Sequence, residues 1–310
     1  MRRIAACLSS ALILAGCGSM PVEHYLEAGR LPSRKELNVP FYPQKSYQCG
    51  PAALAMIFAY DGLSVSSSDL ARQVYLPARE GSLQVEMLAA ARRAGLLPYV
   101  LGGDPDAMLE ELAAGHPVIV LQNLRFGVFP EWHYAVVTGY DLAKREILLH
   151  SGADRRLAMK LSDFDRSWAR SGRWAFVALP PTQLPASADE SGFVEATTEL
   201  EPVSPDSARI AYRTALSKWP DDLIARIGLG NAAYGRRDYA EAEAEYRRAV
   251  ADHPDSGDAW NNLAQVLYDR GHASEALSAV NRALRIGGDR KAIYEATLKS
   301  IKEGTRQALP

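Results

Sequence analysis

The sequence is poor in the residues from which cofactor and nucleic-acid sites are usually built. Three cysteines and six histidines occur in 310 residues. None of them stand at metal-ligand spacing, so no metal site is expected. Gly-rich phosphate loops are absent, and no cofactor is expected. Neither sign of charge is in excess: 35 Lys and Arg face 37 Asp and Glu, a formal charge of −2. With no basic stripe interleaved with aromatics, electrostatic capture of a phosphate backbone has no footprint, and nucleic acid is not an expected partner. Beyond residue 20 no run is apolar enough to span a bilayer. What remains is 47% apolar and 23% charged, ordinary for a globular chain. The length exceeds what one core usually holds, which implies two modest domains.

The N-terminus stands apart. Arg2 and Arg3 precede a short apolar run, Ile4 to Gly16, too short to cross a membrane and right for an export signal. The run ends in Leu14-Ala15-Gly16-Cys17, which resembles the lipobox of bacterial lipoproteins. The resemblance implies that residues 1–16 are removed and that Cys17 carries lipid, making the chain membrane-anchored through lipid only. Gly18, in place of the aspartate that often retains lipoproteins at the inner membrane, points to the periplasmic face of the outer membrane. An ordinary secretory signal with a chance cysteine is the competing reading. Cys7 leaves with the signal and Cys17 is lipidated, so Cys49 is the one thiol of the mature chain. In an oxidising compartment an unpaired cysteine either has work for its thiol or is a small buried hydrophobe.

Residues 17–37 are polar and irregular, as a tether would be. Residues 38–180 alternate helices and strands in an α+β order. An apolar helix, Ala52 to Tyr60, is entered through Cys49-Gly50-Pro51, and proline is at home in a helix's first turn. Helices follow at Ser68 to Val74, at Ser82 to Gly95 with a serine cap and a glycine stop, and near Pro105 to Ala114. Strand-like runs close the domain at Pro117 to Leu121, His133 to Thr138, Glu146 to Leu149 and Trp174 to Leu179. Between 181 and 205 prolines lie among Ser, Ala, Asp and Glu, which reads as a linker with little regular structure.

Residues 206–288 repeat with a period of 34, the tetratricopeptide period. Ala208-Tyr212-Ala215-Pro220 recurs as Ala242-Tyr246-Ala249-Pro254 and again as Ala276-Val280-Ala283. Leu229-Gly230 corresponds to Leu263-Ala264, with Trp260 at the repeat's tryptophan position. The first unit's leading helix is poorly matched around Pro202 and Pro205, giving one half and two full repeats. A polar-faced capping helix and tail are expected over 289–310. Such arrays bind peptides or proteins, so chemistry falls to the first domain.

The run from Gln44 through Cys49-Gly50-Pro51-Ala52-Ala53 to Met56 resembles the nucleophile segment of the bacteriocin-processing, or double-glycine, cysteine peptidases, compact papain-like enzymes. A cysteine at a helix N-terminus meets the positive end of the dipole, which favours thiolate, and Gly50 is expected to keep the approach to the sulfur open. A glutamine shortly upstream can aim its amide at the oxyanion alongside the cysteine's own N–H. Gln44 is the candidate, with Gln48 kept open because Gln44 lies five residues upstream where the family usually has six. A general base follows in Trp132-His133-Tyr134-Ala135-Val136-Val137-Thr138-Gly139-Tyr140-Asp141, which resembles the family's histidine strand. There His133 shares a face with Ala135 and Val137 under period-2 alternation. At the position where the family carries an aspartate, this chain has Ser151 or His150, with Asp154 close by. Ser151 is the choice by position, with His150 expected exposed and idle.

The fold expected is therefore an α+β papain-like cysteine peptidase domain followed by an all-α tetratricopeptide helical-hairpin array. The function expected is hydrolysis of peptide bonds through an acyl-enzyme on Cys49, with the repeats recruiting a peptide or protein partner. An inactive peptide-binding scaffold of the cell envelope is the alternative, as is an amidase or acyltransferase on the same fold.

Overall fold

The computed structural model describes residues 29–44, 48–125 and 129–307. The export signal, Cys17 and most of the expected tether lie outside the described residues. The tether ends earlier than the composition implied, because Arg34–Glu36 forms a strand, β1. β1 pairs antiparallel with residues 139–141 of the strand Trp132–Asp141, and the Leu37 N–H extends the pairing to the Thr138 carbonyl at 2.7 Å. The close approach needs a glycine: a Cβ on Gly139 would collide with the Lys35 carbonyl oxygen.

Six further strands complete one antiparallel sheet. They are β2 (Leu97–Val100), β3 (Val118–Asn123), β4 (Trp132–Asp141), β5 (Glu146–Ser151), β6 (Asp154–Lys160) and β7 (Ala175–Leu179). Their order is β2-β7-β3-β4-β5-β6, with β1 on β4. β3 is buried along its whole length, as its continuous Val-Ile-Val-Leu run requires of a strand covered on both faces.

The helix α1 (Cys49–Tyr60) packs on β4 and is buried from Gly50 to Phe58, so it is apolar all round. α2 (Ser67–Val74) starts on Ser66, whose hydroxyl accepts the Asp69 N–H. α3 (Gln84–Arg93) departs from expectation at its start: its cap is Leu83, and the Ser82 hydroxyl is buried with no partner among the described residues. Its glycine stop holds, with Gly95 at φ +79°. α4 (Pro105–Ala114) has an Asp104 cap and covers β3 and β4. β6 and α5 (Leu161–Ala169) were not foreseen, because β6 is Arg- and Lys-rich with a mostly exposed pattern that hides its alternation.

The segment read as a structureless linker contains a helix, α6 (Glu190–Leu200). Its signal was a sparse stripe, Phe193, Ala196, Thr197 and Leu200, at helical spacing inside a polar background, and all four are buried. α6 pairs with α7 (Pro205–Lys218), so the first unit is a full hairpin. Pro202 and Pro205 fall in the turn and at the first position of α7, where proline is favoured. α8 (Leu223–Gly235), α9 (Tyr239–Asp252), α10 (Gly257–Asp269) and α11 (Ala273–Ile286) supply the next two hairpins, and α12 (Lys291–Gln307) covers the last. The repeated tyrosines seat on helical glycines: the Tyr212 ring lies against Gly228 and the Tyr246 ring against Gly230.

One hydrophobic core runs from α1 through the sheet and into α6, α7 and α8 as far as Leu229. A second begins at Ala233 and ends at Ile301. The break in packing thus lies inside the array and not at the polar stretch. A fully buried carboxylate adds to the junction. Glu111 on α4 accepts the Ser187 N–H at 2.8 Å and its hydroxyl at 2.6 Å, and bonds His116 Nδ1 at 2.6 Å. Burial alone would raise this carboxyl, but those bonds outweigh it and hold Glu111 below the usual carboxylate value. No helix among the described residues is long and apolar enough to cross a membrane.

Candidate active site

The site grows from a mismatch in strand lengths. β5 pairs with β4 only from Val136 onward, leaving residues 132–135 with one free edge. Opposite, Leu121 of β3 gives its N–H to Trp174, so Leu121 and Tyr134 are a non-hydrogen-bonded pair and Tyr134 turns its backbone groups to the free edge. The N-terminus of α1 docks there. The Tyr134 N–H bonds the Cys49 sulfur, and the Tyr134 carbonyl accepts the Gln44 Nε2–H at 3.3 Å. Gln44 is fixed a second time by its backbone N–H, which donates to the Gly152 carbonyl at 3.1 Å.

His133 precedes Tyr134 on β4, and Ser151 ends β5. His133 Nε2 and Ser151 Oγ are 2.9 Å apart. With Nε2 so engaged, Nδ1 is the nitrogen left for proton transfer. Cys49, His133 and Gln44 line one groove of about 880 Å³ together with Trp132, Tyr134, Leu83 and Gly152. That volume falls within the usual range for ligand clefts.

Burial sets the charge state of the pair. It pushes the Cys49 thiol above its ordinary range and outweighs the nearby backbone N–H groups of Tyr134, Gly50 and Cys49, which act to lower it. Burial also holds His133 below its ordinary value, against the opposing carboxylate of Glu131. Burial therefore favours the neutral thiol and the neutral imidazole over the thiolate that the helix dipole alone would give. The physical reason is that desolvating a charge at a closed helix end costs more than three N–H groups return.

The remaining candidates separate by position. Gln48 is the cap residue of α1 and does not line the groove. His150 is buried, not exposed, on the opposite face of β5, where its Nε2 meets the Val39 carbonyl at 3.0 Å and its ring packs edge-on against Phe41. Asp154 is exposed at the start of β6, and the imidazole bond goes to Ser151 instead. Gly50 does not hold the approach open. It is buried, and a Cβ there would sit 2.6 Å from the Ser82 hydroxyl, so the glycine serves close packing of α1 on the segment before α3.

Two groups at the site were missed. Tyr134 offers its backbone to Cys49 and Gln44 while its phenol donates to the Ser82 carbonyl at 3.2 Å, tying the groove wall to β4. Trp132 stands 53% exposed on the rim. Its place beside the histidine was the available signal.

Comparison with known proteins follows the same division of the chain. Residues 36–176 match the Peptidase_C39 like family, and residues 204–248 and 227–291 match the tetratricopeptide repeat. Residues 36–176 are thus similar to that peptidase family, and segments similar to the tetratricopeptide repeat follow them. Among solved structures, this domain is similar to a double glycine motif protease from an AMS/PCAT transporter in complex with its leader peptide. That match has 23% identity and a TM-score of 0.39, covering 46% of this chain and 93% of the other. A protein from Bacillus anthracis described as a C39-like peptidase matches at 17% identity and a TM-score of 0.39, over 47% of this chain and 97% of its own. The repeats are 30% identical over 81 residues to stress-induced-phosphoprotein 1 of Caenorhabditis elegans, 26% of this chain. The match spans a quarter (25%) of that relative's length.

Proposed function

We propose that the protein is a lipid-anchored cysteine peptidase that cleaves peptide bonds through an acyl-enzyme on Cys49, its repeats engaging a protein partner. The observation that carries this is the meeting of Cys49, His133 and Gln44 in one groove, with Ser151 bonded to the far nitrogen of the imidazole. In the first step the Cys49 sulfur attacks the scissile carbonyl carbon and His133 Nδ1 takes the thiol proton. The oxyanion is met by the Cys49 backbone N–H and by the Gln44 amide hydrogen not given to Tyr134. Collapse breaks the C–N bond, the leaving amine takes the proton from His133, and a thioester remains. Water, deprotonated by the same nitrogen, then attacks the thioester, releasing the carboxylic acid and restoring the thiol. Lipidation at Cys17 would place this chemistry at the periplasmic face of the outer membrane.

A second reading, an inactive peptide-binding scaffold, draws on the neutral thiol and imidazole and on serine where a carboxylate would stabilise an imidazolium better. Incubating the full chain with a mixed peptide library and reading cleavage by mass spectrometry separates the two. Cleavage that falls about a thousandfold in Cys49→Ala and in His133→Ala supports the peptidase. Cleavage that survives Cys49→Ala retires it.

A further inference from the structure

Ser151 meets His133 Nε2 at 2.9 Å and can accept the ring N–H, but a hydroxyl brings no negative charge to an imidazolium. A charge for that purpose has to come from elsewhere in the groove. The charged side chains that line it are Arg79 and Glu80, on the turn before α3, and Glu131, two residues before the histidine. From the other elements Cys49 of α1 and Tyr134 of β4 face the groove, and Asp154 is exposed beyond Ser151 at the start of β6.

Glu131 is held in strand register. The Leu124 N–H donates to the Glu131 carbonyl at 2.9 Å, so the β3–β4 ladder runs one step past its strands. By alternation Glu131 then shares a face with His133, about 7 Å along the chain. The buried Asn123 turns its side chain to the same place: its Oδ1 accepts the Glu131 N–H and the Arg125 N–H, each at 3.1 Å. From the end of α5, Arg170 Nη1 donates to the Asn123 carbonyl at 3.1 Å and to the Arg125 carbonyl at 2.8 Å. On the backbone so fixed, Arg125 Nε and the Glu131 carboxylate pair at 2.6 Å, their side chains 68% and 52% exposed. An exposed pair of this kind adds little to stability, so the buried carboxamide beneath it aims the carboxylate more than it holds the fold. The Arg125 charge is largely solvated, and Glu131 is the charge that opposes the effect of burial on His133.

We propose that Glu131, steadied by Arg125, is a positioning residue of this site: its carboxylate stabilises the imidazolium that forms on His133 when Nδ1 takes the Cys49 proton. It supplies from the turn before β4 the negative charge that Ser151 lacks. The role in turnover rests on the peptide-cleaving reading, whereas the coupling to the imidazole stands apart from it. No proton passes to Glu131. The proton moves from the Cys49 sulfur to Nδ1 and on to the leaving amine, and the carboxylate stays charged throughout. A unit charge about 7 Å away across a partly solvated groove shifts a protonation equilibrium roughly threefold to tenfold, and salt screens it.

The test is an NMR titration of the full chain with isotope-labelled histidine rings, His133→Gln assigning the resonance. At low salt Glu131→Gln is expected to weaken the imidazolium about threefold, read as a His133 midpoint about half a pH unit lower. Glu131→Asp, which keeps the charge, is expected to retain most of the effect, and about 1 M salt to erase the difference between Glu131→Gln and the unsubstituted chain. Peptide cleavage is scored separately, with kcat expected to fall about threefold in Glu131→Gln at unchanged KM, the mark of an interaction made only in the transition state. A midpoint that Glu131→Gln leaves in place at low salt, a difference that persists in about 1 M salt, or an unchanged kcat would overturn the role. Absent cleavage by the unsubstituted chain with the midpoint shift intact removes the peptidase reading and leaves the coupling, whereas cleavage without the shift does the reverse.

Discussion

Replacing Ser151 by aspartate probes the charge state of the site. Ser151 Oγ is 2.9 Å from His133 Nε2, so a carboxylate on the same Cβ lies within bonding reach of the imidazole. A unit charge about 4 Å from an imidazolium gains about 4 kcal/mol at an effective dielectric near 20, equivalent to roughly 3 pKa units. The cost of holding a carboxylate at this half-buried position, and solvent in the groove, reduce the net rise to about 1–2 units. His133 then moves from below its ordinary value to above it, and the imidazolium so formed lowers the thiol in turn. Iodoacetamide labelling of Cys49, followed by mass spectrometry from pH 5 to 10, reads the outcome. In the unsubstituted chain the raised thiol means labelling stays slow through neutral pH and climbs only beyond about pH 8.5, the ordinary thiol value. In Ser151→Asp, labelling near pH 7 is expected to rise about tenfold, one pKa unit of thiolate. An unchanged profile in the variant, or fast labelling at pH 6 in the unsubstituted chain, would refute both the Ser151 contact and the dominance of burial.

Two predictions concern stability. Burial pushes Asp61 up to about 6, with His116 opposing. The folded-state value is above the unfolded one, so the stabilisation is complete below about pH 4 and is lost as pH rises through about 6. In urea titrations at pH 8, Asp61→Asn should therefore raise the unfolding free energy over the unsubstituted chain by about 1 kcal/mol, after discounting for the group's partial exposure. A gain of equal size at pH 4 would sink the assignment. In the repeats, Gly230→Ala recovers about 1 kcal/mol of helix propensity but drives a Cβ into the buried Tyr246 ring, an overpacking cost of about 1–3 kcal/mol. Thermal melts should show net destabilisation for Gly230→Ala and none for Gly235→Ala, where no atom stands within 4 Å.

Legibility varied with the range of the interaction that decides each feature. α1 was readable because Cys49-Gly50-Pro51 followed by the apolar run Ala52 to Tyr60 is a local pattern, and the repeats because a tyrosine and its small-residue partners recur at a fixed period. α6 was not, since its apolar stripe is thin and its polar residues make an amphipathic helix look like a linker until the sheet edge at β2 and the hairpin partner α7 are in place. β1 was hidden for a similar reason: Arg34-Lys35-Glu36 carries no strand signal, and its pairing depends on a glycine about a hundred residues away.

By itself the sequence determined the chemical types and the order of the parts: a cysteine at a helix start, a histidine at the head of a strand, and a repeat of period 34. These rest on short-range periodicity and capping, which a chain carries wherever it folds. Only the tertiary structure decided which of Ser151, His150 and Asp154 meets the imidazole, because adjacent residues on a strand point to opposite faces and only the register of β5 against β4 selects one. It also decided the charge of the thiol. The helix end favours an anion, yet burial against β4 removes the water that would stabilise it, and desolvation is a property of the assembled core that no local pattern contains.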